Sequence, residues 1–579
     1  MPTNESRMTD EYRMQSPLID LFRAVADAVP DRECLVHRSV RRSYAETRDR
    51  VERLGRVLAA HGLGVRRARE ELRGHESGQD HVALFLHNGH EYAEGTFGAF
   101  AARTVPFNVN YRYTAYELKH LLRDAAPAAI VYHAAFAETL AQVLPALPRR
   151  PLLLQVADDT APRLLPGALD YETALAEAPT GMTLPEPSPD DLFMVYTGGT
   201  TGMPKGVLWR QGDVWTALLG GWQRPEIDTP ARLVAHVLDA PAGQRFLGIA
   251  PFMHGAGWWY LIRAMTGGDT MVVPDVVHRL DAADVCRTVE RERLDTLPLV
   301  AEAFARPLAD ELERGTYDMS RVRAVVSGGG PLAVETKRRI LAALPQAEVA
   351  DSAGSSETGG IIRGWSTAAQ GVGEDAVFTP LPRACVVDLE LARVLEPGHE
   401  NPGWLAARAP VPLGYLGDPG KSASTFVTVQ GERMALPGDL AHLRADGQLV
   451  LHGRASMVIN SGGEKIYAEE VERALLNQPH VRDALVVGRP SPRWGQEVVA
   501  LVQLDGPGEG TDDTALREAA AERLARYKLP KAFLRVPAIR RSPAGKADYA
   551  WARALAEKEP EEQATRATQG VEAEREAGS

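Results

Sequence analysis

A glycine- and threonine-rich stretch follows an apolar run and reads Val195-Tyr196-Thr197-Gly198-Gly199-Thr200-Thr201-Gly202-Met203-Pro204-Lys205-Gly206. The apolar run 193–196 predicts a buried strand that leads directly into this loop. Glycines permit the backbone angles with which successive N–H groups can surround an anion, and the hydroxyls of Thr197, Thr200 and Thr201 add further donors. Lys205 adds a mobile positive charge. The stretch therefore predicts a phosphate-binding loop, although its composition alone also fits a glycine hinge, and its spacing is not that of the Walker loop.

Apolar strand candidates alternate with helical patterns along most of the chain. Short apolar runs recur at 81–86, 128–132, 246–250, 270–273 and 324–327. This alternation predicts an α/β fold built from βαβ units with parallel sheets.

The chain has 579 residues, which is too many for one hydrophobic core, so at least two domains are expected. The pattern changes near residue 453, where a compact α+β unit begins. We expect an N-terminal domain over 1–453, a C-terminal domain over 457–553, and a disordered tail over 554–579, where large apolar residues are scarce.

The composition excludes several classes of protein. The net charge is −12 and no basic stripe is present, so no nucleic-acid partner is expected. The three cysteines are far apart, which argues against disulfides or a zinc site and fits a reducing compartment. Neither a signal peptide nor an apolar run of about 18 residues is evident, so we expect no membrane span and a cytoplasmic location.

The phosphate loop resembles that of the ANL superfamily, which contains acyl-CoA synthetases, nonribosomal peptide adenylation domains and luciferases. Further matches follow in the family's order, at 251–259, 327–332, 351–359, 437–439, 453–466 and 542–549. The resemblance implies a large N-terminal domain of βαβ-rich sheets and a distorted barrel, with a small, mobile C-terminal α+β domain. It also makes a homodimer an expectation, because relatives are often dimers.

The resemblance implies a nucleotide site and its catalytic groups. The residues implied to bind ATP are Thr197, Gly198, Gly199, Thr200, Thr201, Gly202, Lys205, Gly328, Gly329, Gly330, Asp351, Ser352, Gly354, Ser355, Ser356, Asp439, Arg454 and Lys546. The implied catalytic residues are Lys546, Glu357, Thr197 and Lys205. Glu357 is the implied Mg²⁺ ligand, since Mg²⁺ takes hard oxygen ligands. Asp439 is implied to hold the ribose, because a carboxylate can accept hydrogen bonds from both hydroxyls of a diol.

The resemblance implies three further sets of residues. The acyl pocket would be lined by His254, Trp258, Trp259, Gly328 and Gly354. The interdomain hinge would be 454–456, centred on Ser456, where relatives usually have Asp or Lys. The loop that presents the thiol acceptor would contain Gly462, Gly463 and Lys465.

These features imply an ATP-dependent ligase that adenylates a carboxylic acid, releases pyrophosphate, and transfers the acyl group to CoA with release of AMP. The strings 74–84, 106–113 and 459–465 look closest to actinobacterial fatty-acid and steroid side-chain CoA ligases. The expected cofactors are ATP, Mg²⁺ and CoA.

Two other hypotheses remain open from the sequence. A secondary-metabolism enzyme could use the same site with a carrier protein or an amine as acceptor, or activate nitrite for diazotisation of an aryl amine. The altered hinge, Ser456-Met457, is compatible with such a departure. An inactive scaffold is the third hypothesis, and the joint presence of Lys205, Glu357, Asp439, Arg454 and Lys546 argues against it.

Overall fold

The computed structural model describes residues 14–158, 163–197, 204–240, 242–329, 332–372, 377–461, 464–491, 494–505, 512–541 and 547–558. The strands are β1 (Glu33–His37), β2 (Val40–Ser43), β3 (His81–Phe85), β4 (Val105–Asn108), β5 (Ala129–His133), β6 (Leu152–Val156), β7 (Ala168–Asp170), β8 (Leu192–Thr197), β9 (Lys205–Arg210), β10 (Arg245–Leu247), β11 (Thr270–Val273), β12 (Thr296–Val300), β13 (Ala324–Gly328), β14 (Glu348–Ser355), β15 (Gly359–Thr367), β16 (Val377–Pro380), β17 (Ala384–Val387), β18 (Gly403–Arg408), β19 (Gly414–Tyr415), β20 (Phe426–Val429), β21 (Glu432–Ala435), β22 (Asp439–Leu443), β23 (Leu449–Arg454), β24 (Val458–Ser461), β25 (Glu464–Tyr467), β26 (Val481–Ser491), β27 (Gly495–Leu504) and β28 (Ala532–Arg535).

The α-helices are α1 (Leu18–Ala28), α2 (Tyr44–Ala60), α3 (His90–Ala101), α4 (Ala115–Ala125), α5 (Ala137–Val143), α6 (Tyr171–Ala176), α7 (Gln211–Leu218), α8 (Pro230–Asp239), α9 (Gly255–Gly267), α10 (Ala282–Glu292), α11 (Ala301–Arg314), α12 (Val334–Ala343), α13 (Pro419–Thr425), α14 (Ala468–Leu476) and α15 (Asp513–Ala521). Capping boxes begin two of them. Ser43 and Glu46 cap α2, and Thr114 and Glu117 cap α4, so each pair satisfies backbone N–H groups that the first turn leaves open.

An eight-stranded sheet carries the phosphate-loop segment. Its order is β19-β9-β8-β4-β3-β5-β6-β7, and the six strands from β8 to β7 in this order are parallel to one another. All of β3 is buried, as expected for a central parallel strand. The pair β8–β9 is antiparallel, with Thr197 opposite Lys205, so the quoted stretch connects two strands of a hairpin.

A larger sheet is parallel in its first half. Its order is β2-β1-β11-β10-β12-β13-β14-β15-β16-β23-β22-β18-β21-β20, and β17 pairs with β18. The strands β1, β11, β10, β12, β13 and β14 are mutually parallel, which confirms the βαβ pattern. From β15 onward the pairing is antiparallel, in the region for which the resemblance implied a distorted barrel.

The C-terminal unit has its own sheet and core. Its sheet runs β25-β24-β27-β26, with β28 beside β27, and α14 packs on it. Residues 549–558 are helical, and Ala552 and Ala556 are fully buried against this sheet. The helix therefore includes residues 554–558, which the sequence analysis assigned to the tail, because these alanines fill a core position. Residues 559–579 lie outside the described residues.

No helix among the described residues combines the length and apolar character needed to cross a membrane.

Candidate functional site

One cavity of about 610 Å³ lies where the two large sheets and the C-terminal unit meet. Its wall includes the end of β8, the start of α9, the end of β13 and the turn from β14 to β15. The C-terminal unit contributes Arg540, Arg541 and residues 547–550. The structure therefore brings segments that are up to about 440 residues apart in the chain into one enclosure, which is typical of a ligand site at a domain boundary.

The end of β8 is held by a buried asparagine. The Asn108 amide donates to the carbonyls of Tyr196 (2.9 Å) and Met253 (2.6 Å), and its oxygen accepts from the Tyr196 N–H at 2.7 Å. Thr197 lines the cavity directly beyond this clamp. Asn108 thus couples the strand before the phosphate loop to the segment that carries His254.

Lys205 is the first residue of β9 and forms an ion pair with Asp418. Its Nζ also lies 5.9 Å from the centre of the Tyr415 ring. Hydrogen bonding from Lys205 holds the pKa of Asp418 below its ordinary value. The positive charge predicted for the phosphate loop is therefore neutralised by a neighbouring carboxylate, and its expected contact with ATP stays a prediction.

The start of α9 forms a second part of the cavity wall. His254 precedes the helix and lines the cavity together with Trp259 and Tyr260. Trp258 does not line it. Its indole is fully buried, donates to the Thr96 hydroxyl at 2.9 Å and packs on Phe193 with ring centres 4.6 Å apart.

This corrects the prediction for Trp258. Adjacent helical residues point about 100° apart, so one tryptophan of the pair turns into the core when the other faces the cavity.

Glycines form the cavity wall at β13 and β14. Gly328 and Gly329 line the cavity, and Gly329 has a φ of 83°, a conformation that favours glycine. Gly354 also lines the cavity, but the fold of the hairpin gives a separate reason for glycine at this position. A Cβ on Gly354 would lie 1.8 Å from the carbonyl oxygen of Gly359, so the hairpin itself requires glycine there.

Of the predicted nucleotide-binding residues in and after β14, some line the cavity and one does not. Ser352, Ser355 and Ser356 line the cavity. Asp351 is buried and forms an ion pair with Lys337 of α12, away from that wall. Its expected nucleotide contact stays a prediction.

Glu357 is buried next to the β14–β15 turn and accepts a hydrogen bond from the Tyr415 hydroxyl at 2.7 Å. Burial, and the charge of Glu357, raise the pKa of Tyr415, so this phenol stays protonated and a donor. The carboxylate that is expected to bind metal is thus held in one orientation by a neighbouring side chain.

The segment around the expected hinge is tied to both domains. Arg454 Nε lies 2.8 Å from Asp439 Oδ1, and its backbone N–H approaches Glu469 Oε1 of α14 at 3.4 Å. Residues Ala455–Met457 form a short 3-10 turn in which Ser456 is exposed. Burial raises the pKa of Glu469.

The C-terminal part of the cavity wall is braced from behind. Arg541 pairs with Asp483 at 2.6 Å, and the Tyr549 hydroxyl donates to Glu472 at 3.1 Å. Burial raises the pKa of Glu472 to about 8. Arg541 and Ala547, the described residues on either side of 542–546, both line the cavity.

Several predicted residues lie outside the described residues: Gly198, Gly199, Thr200, Thr201, Gly202, Gly330, Gly462, Gly463 and Lys546. The backbone of Lys465 is described, in β25 opposite Asn460, but its side chain is not.

Sequence reasoning assigned no role to Asn108, Tyr415, Arg263 or Arg363, although Asn108 and both arginines line the cavity. Arg263 carried a signal that could have revealed it. It lies four residues after Trp259 on the same helix and therefore on the same face.

Comparison with known proteins identifies the family. The family model described as AMP-binding enzyme matches residues 22–416, and that of the AMP-binding enzyme C-terminal domain matches residues 470–546. The medium-chain acyl-CoA ligase Mig of Mycobacterium avium is 47% identical over 92% of this chain and 96% of its own. The 3-oxocholest-4-en-26-oate–CoA ligase of Rhodococcus rhodochrous is 34% identical over 93% of this chain and 95% of its own.

Solved structures with the same fold include the anthranilate CoA ligase AuaEII in complex with anthranoyl-AMP (TM-score 0.76, 20% identity, 94% of this chain and 97% of that one). ATP-bound MatB from Rhodopseudomonas palustris is similar as well (TM-score 0.75, 23% identity, 93% and 98%). At these identities the structures establish the fold alone. Together with the family matches, they show that the chain belongs to the AMP-binding enzyme family, the ANL superfamily of adenylate-forming enzymes.

Proposed function

We propose that this enzyme activates a medium-length carboxylic acid and transfers it to CoA. The chain is an ATP-dependent, AMP-forming acyl-CoA ligase. The observation that carries the ligase function is one cavity of about 610 Å³, in whose wall Thr197, Gly328 and Ser355, which we assign to ATP, lie beside the start of α9, which we assign to the acid. The size class of the acid is supported by the name of the Mig relative, a medium-chain acyl-CoA ligase.

In the first half-reaction, a carboxylate oxygen of the acid attacks the α-phosphorus of ATP. The bond between the α-phosphorus and the bridging oxygen breaks, and pyrophosphate leaves. A carboxylate is a poor nucleophile toward a polyanion, so the protein contributes mainly positioning and charge neutralisation. We assign that role to Lys546, to the donors of the 197–205 loop, and to His254 at the start of α9.

We assign the nucleotide's ribose to Asp439, with Arg454 beside it, and the adenine to the glycines at 328–330. Gly328 supports this assignment, because a Cβ there would meet only the Ser352 carbonyl oxygen at 3.8 Å. The space that a side chain would occupy at this position is therefore open.

Glu357 is the residue that we propose to hold Mg²⁺. The fit is good because Mg²⁺ in nucleotide sites usually takes only one or two protein carboxylates and completes its shell with phosphate oxygens and water. Glu357 supplies one such carboxylate, oriented by Tyr415. When bound, the ion would supply positive charge near the pyrophosphate.

In the second half-reaction, the CoA thiol releases its proton to solvent and its sulfur attacks the acyl carbonyl carbon. The carbon–oxygen bond to phosphate breaks and AMP leaves. We propose that the C-terminal domain turns about Ser456 between the two steps, which would withdraw Lys546 and bring in Gly462, Gly463 and Lys465. The exposure of Ser456 in a short turn between two sheets supports this position for the hinge.

We further propose that the enzyme acts in the cytoplasm. Its three cysteines are all buried and none forms a disulfide, which fits a reducing compartment.

The test measures AMP, pyrophosphate and thioester with a panel of acids, and with CoA, a carrier protein, aryl amines and nitrite in turn. The expected result is AMP release that requires an organic acid and yields a CoA thioester. AMP release that needs nitrite and an amine but ignores CoA would show that the acceptor and substrate are misassigned. No AMP release under any of these conditions would favour the inactive-scaffold hypothesis.

Lys546→Ala separates the two half-reactions. We expect it to abolish AMP formation from the free acid and to leave thioester formation from supplied acyl-adenylate largely intact. Lys531→Ala, which removes a lysine from the same domain where Nζ lies 6.0 Å from the Trp494 ring, is the matched control and should change neither step. Equal loss of both steps in Lys546→Ala would contradict the assignment.

A further inference from the structure

Two arginines line the cavity at a distance from its reactive end. Arg263 belongs to α9 and Arg363 to β15, and Tyr260 lies in the same wall. His254 stands at the start of α9 and Arg263 nine residues later, so the helix alone separates them by roughly 13 Å. The cavity therefore has a distal, basic end.

The wall between these two ends is continuous. Ala256, Trp259, Tyr260 and Arg263 all line the cavity, and their spacing of three, four and seven residues places them on one helix face. An acid whose carboxylate lies beside His254 would run along this face and end near Arg263.

The distal end carries an excess of positive charge. The Arg263 guanidinium packs 5.5 Å from the centre of the Phe246 ring, and among the described residues no carboxylate comes within 4.0 Å of it. The Asp269 side chain interacts electrostatically with Arg263, and it also accepts a hydrogen bond from the Gln244 N–H at 2.8 Å. Burial, and then the charge of Arg263, lower the pKa of a third arginine nearby, Arg224.

Arg363 adds a second guanidinium to the cavity wall. It packs 5.1 Å from the centre of the Trp365 ring. Burial lowers its pKa, and Arg263 acts in the same direction, whereas the charges of Tyr260 and Glu348 act in the opposite one. Two like charges thus share one half-buried enclosure.

This arrangement suits an anion better than an alkyl chain end. The methyl end of an unbranched fatty acid would remove water from the Arg263 guanidinium and offer it no hydrogen bond. A carboxylate would instead accept charge-assisted hydrogen bonds, and the planar guanidinium fork matches its two oxygens.

We propose that the acid substrate carries a second carboxylate and that Arg263 and Arg363 bind it, so that the enzyme activates one end of a dicarboxylic acid. The inference rests on the proposed acyl-CoA ligase function and specifies its substrate class. Arg263 is then a residue that determines specificity, separate from those that handle ATP.

The test compares acids of equal length with one or two carboxylates: octanoate against suberate, and decanoate against sebacate. We expect the kcat/KM of the wild-type enzyme to be about tenfold or more higher for the dicarboxylate of each pair. The monocarboxylate lacks the group that would form the charge-assisted hydrogen bond, and such a bond corresponds to a factor of about ten or more. Arg263→Met should remove this preference and raise kcat/KM for the monocarboxylate. Arg263→Lys, which keeps the charge, should retain part of the preference.

Arg232→Met is the matched control. Arg232 lies on α8, is exposed, and pairs with Asp228 at 2.8 Å outside the cavity wall. It should leave the ratio of the two acids unchanged.

A wild-type enzyme that uses monocarboxylates as well as dicarboxylates, with a ratio that Arg263→Met does not alter, would overturn the proposal. So would a clear preference for an uncharged ω-oxo or ω-hydroxy acid over the dicarboxylate. Calorimetric titration with sebacate gives a readout that does not depend on turnover. Binding that weakens in Arg263→Met, with no AMP from any acid, would support the anion site and contradict the ligase function; no binding and no turnover would contradict both.

Discussion

Asp439 and Arg454 lie opposite each other across the β22–β23 pair, with Arg454 Nε 2.8 Å from Asp439 Oδ1. Arg454 also donates to the Pro437 carbonyl oxygen at 2.7 Å, and its N–H approaches Glu469 of the C-terminal unit. The residue proposed to hold ribose is therefore ion-paired with the first residue of the proposed hinge. A nucleotide that engages Asp439 would change the partners of a residue that connects the two domains.

Asp439→Asn should raise the KM for ATP and leave the KM for the acid nearly unchanged. The amide cannot accept hydrogen bonds from both ribose hydroxyls with the strength of a carboxylate, and a charge-assisted hydrogen bond contributes about 1.5–3 kcal/mol, which corresponds to roughly tenfold to a hundredfold. Steady-state kinetics with each substrate varied in turn provides the measurement. The control is Asp446→Asn, in the same hairpin, where Asp446 pairs with Arg444 at 3.1 Å. This variant should change neither KM. An equal rise in both KM values would contradict a role specific to ATP.

Gly328→Ala should fold normally but bind ATP poorly. Its added Cβ would meet the protein only at 3.8 Å, so the free energy of unfolding should change by no more than about 0.5 kcal/mol. A ring that packs flat on this backbone would nevertheless meet the methyl group. Urea unfolding and the KM for ATP measure the two effects, and an unchanged KM would show that the adenine does not lie there.

Gly354→Ala is the opposite case in the same cavity wall. Its Cβ would lie 1.8 Å from the Gly359 carbonyl oxygen, so the β14–β15 turn would have to open. We expect a loss of about 3 kcal/mol or more in the free energy of unfolding, or no soluble protein. A stable Gly354→Ala would show that the turn adapts more easily than the backbone contact indicates.

The sequence predicted the order of the elements better than their contacts. Local apolar runs were sufficient to predict β8, β11 and β13, because a buried parallel strand is recognisable by its own residues. The ends were less accurate: β10 stops at Leu247, not at 250, where the chain turns toward His254.

The cavity wall was predictable only where a residue belonged to a motif. Arg263 and Arg363 are a hundred residues apart, and only the tertiary fold, which brings α9 and β15 to the same cavity, places them in one wall. Likewise, nothing in the pair Trp258-Trp259 tells which indole faces the core, since that depends on the helix's rotation against Phe193 and Thr96. Pairings of this kind depend on tertiary contacts that a linear pattern does not contain.

Trp258→Ala and Trp259→Ala should separate stability from specificity. Trp258 is fully buried, so its truncation should cost about 3–5 kcal/mol of unfolding free energy. Trp259 lines the cavity, so its truncation should cost less and shift kcat/KM toward longer acids. Urea unfolding and a chain-length series of acids make the comparison. If Trp259→Ala were the more destabilising variant and left the length preference unchanged, the assignment of the two indoles would be reversed.

Glu472→Gln should stabilise the enzyme increasingly as the pH rises from about 5 to about 8. Burial raises the pKa of Glu472 from 4.5 to about 8, with Val486 N–H and the Tyr549 hydroxyl donating to it. Between these two pH values the folded state keeps a proton that the unfolded chain releases, so the free energy of unfolding of the wild type falls as the pH rises. Glutamine does not ionise and lacks this penalty, so its advantage should reach on the order of 4 kcal/mol near pH 8 and vanish below about pH 4.5. Urea unfolding across this range measures the difference, and Glu518→Gln, at an exposed position of α15, should give a flat profile. An equally flat profile for Glu472→Gln would mean that the Glu472 carboxyl is ionised in the folded protein. The Tyr549 hydroxyl would then donate its hydrogen bond to a carboxylate and not to a neutral acid.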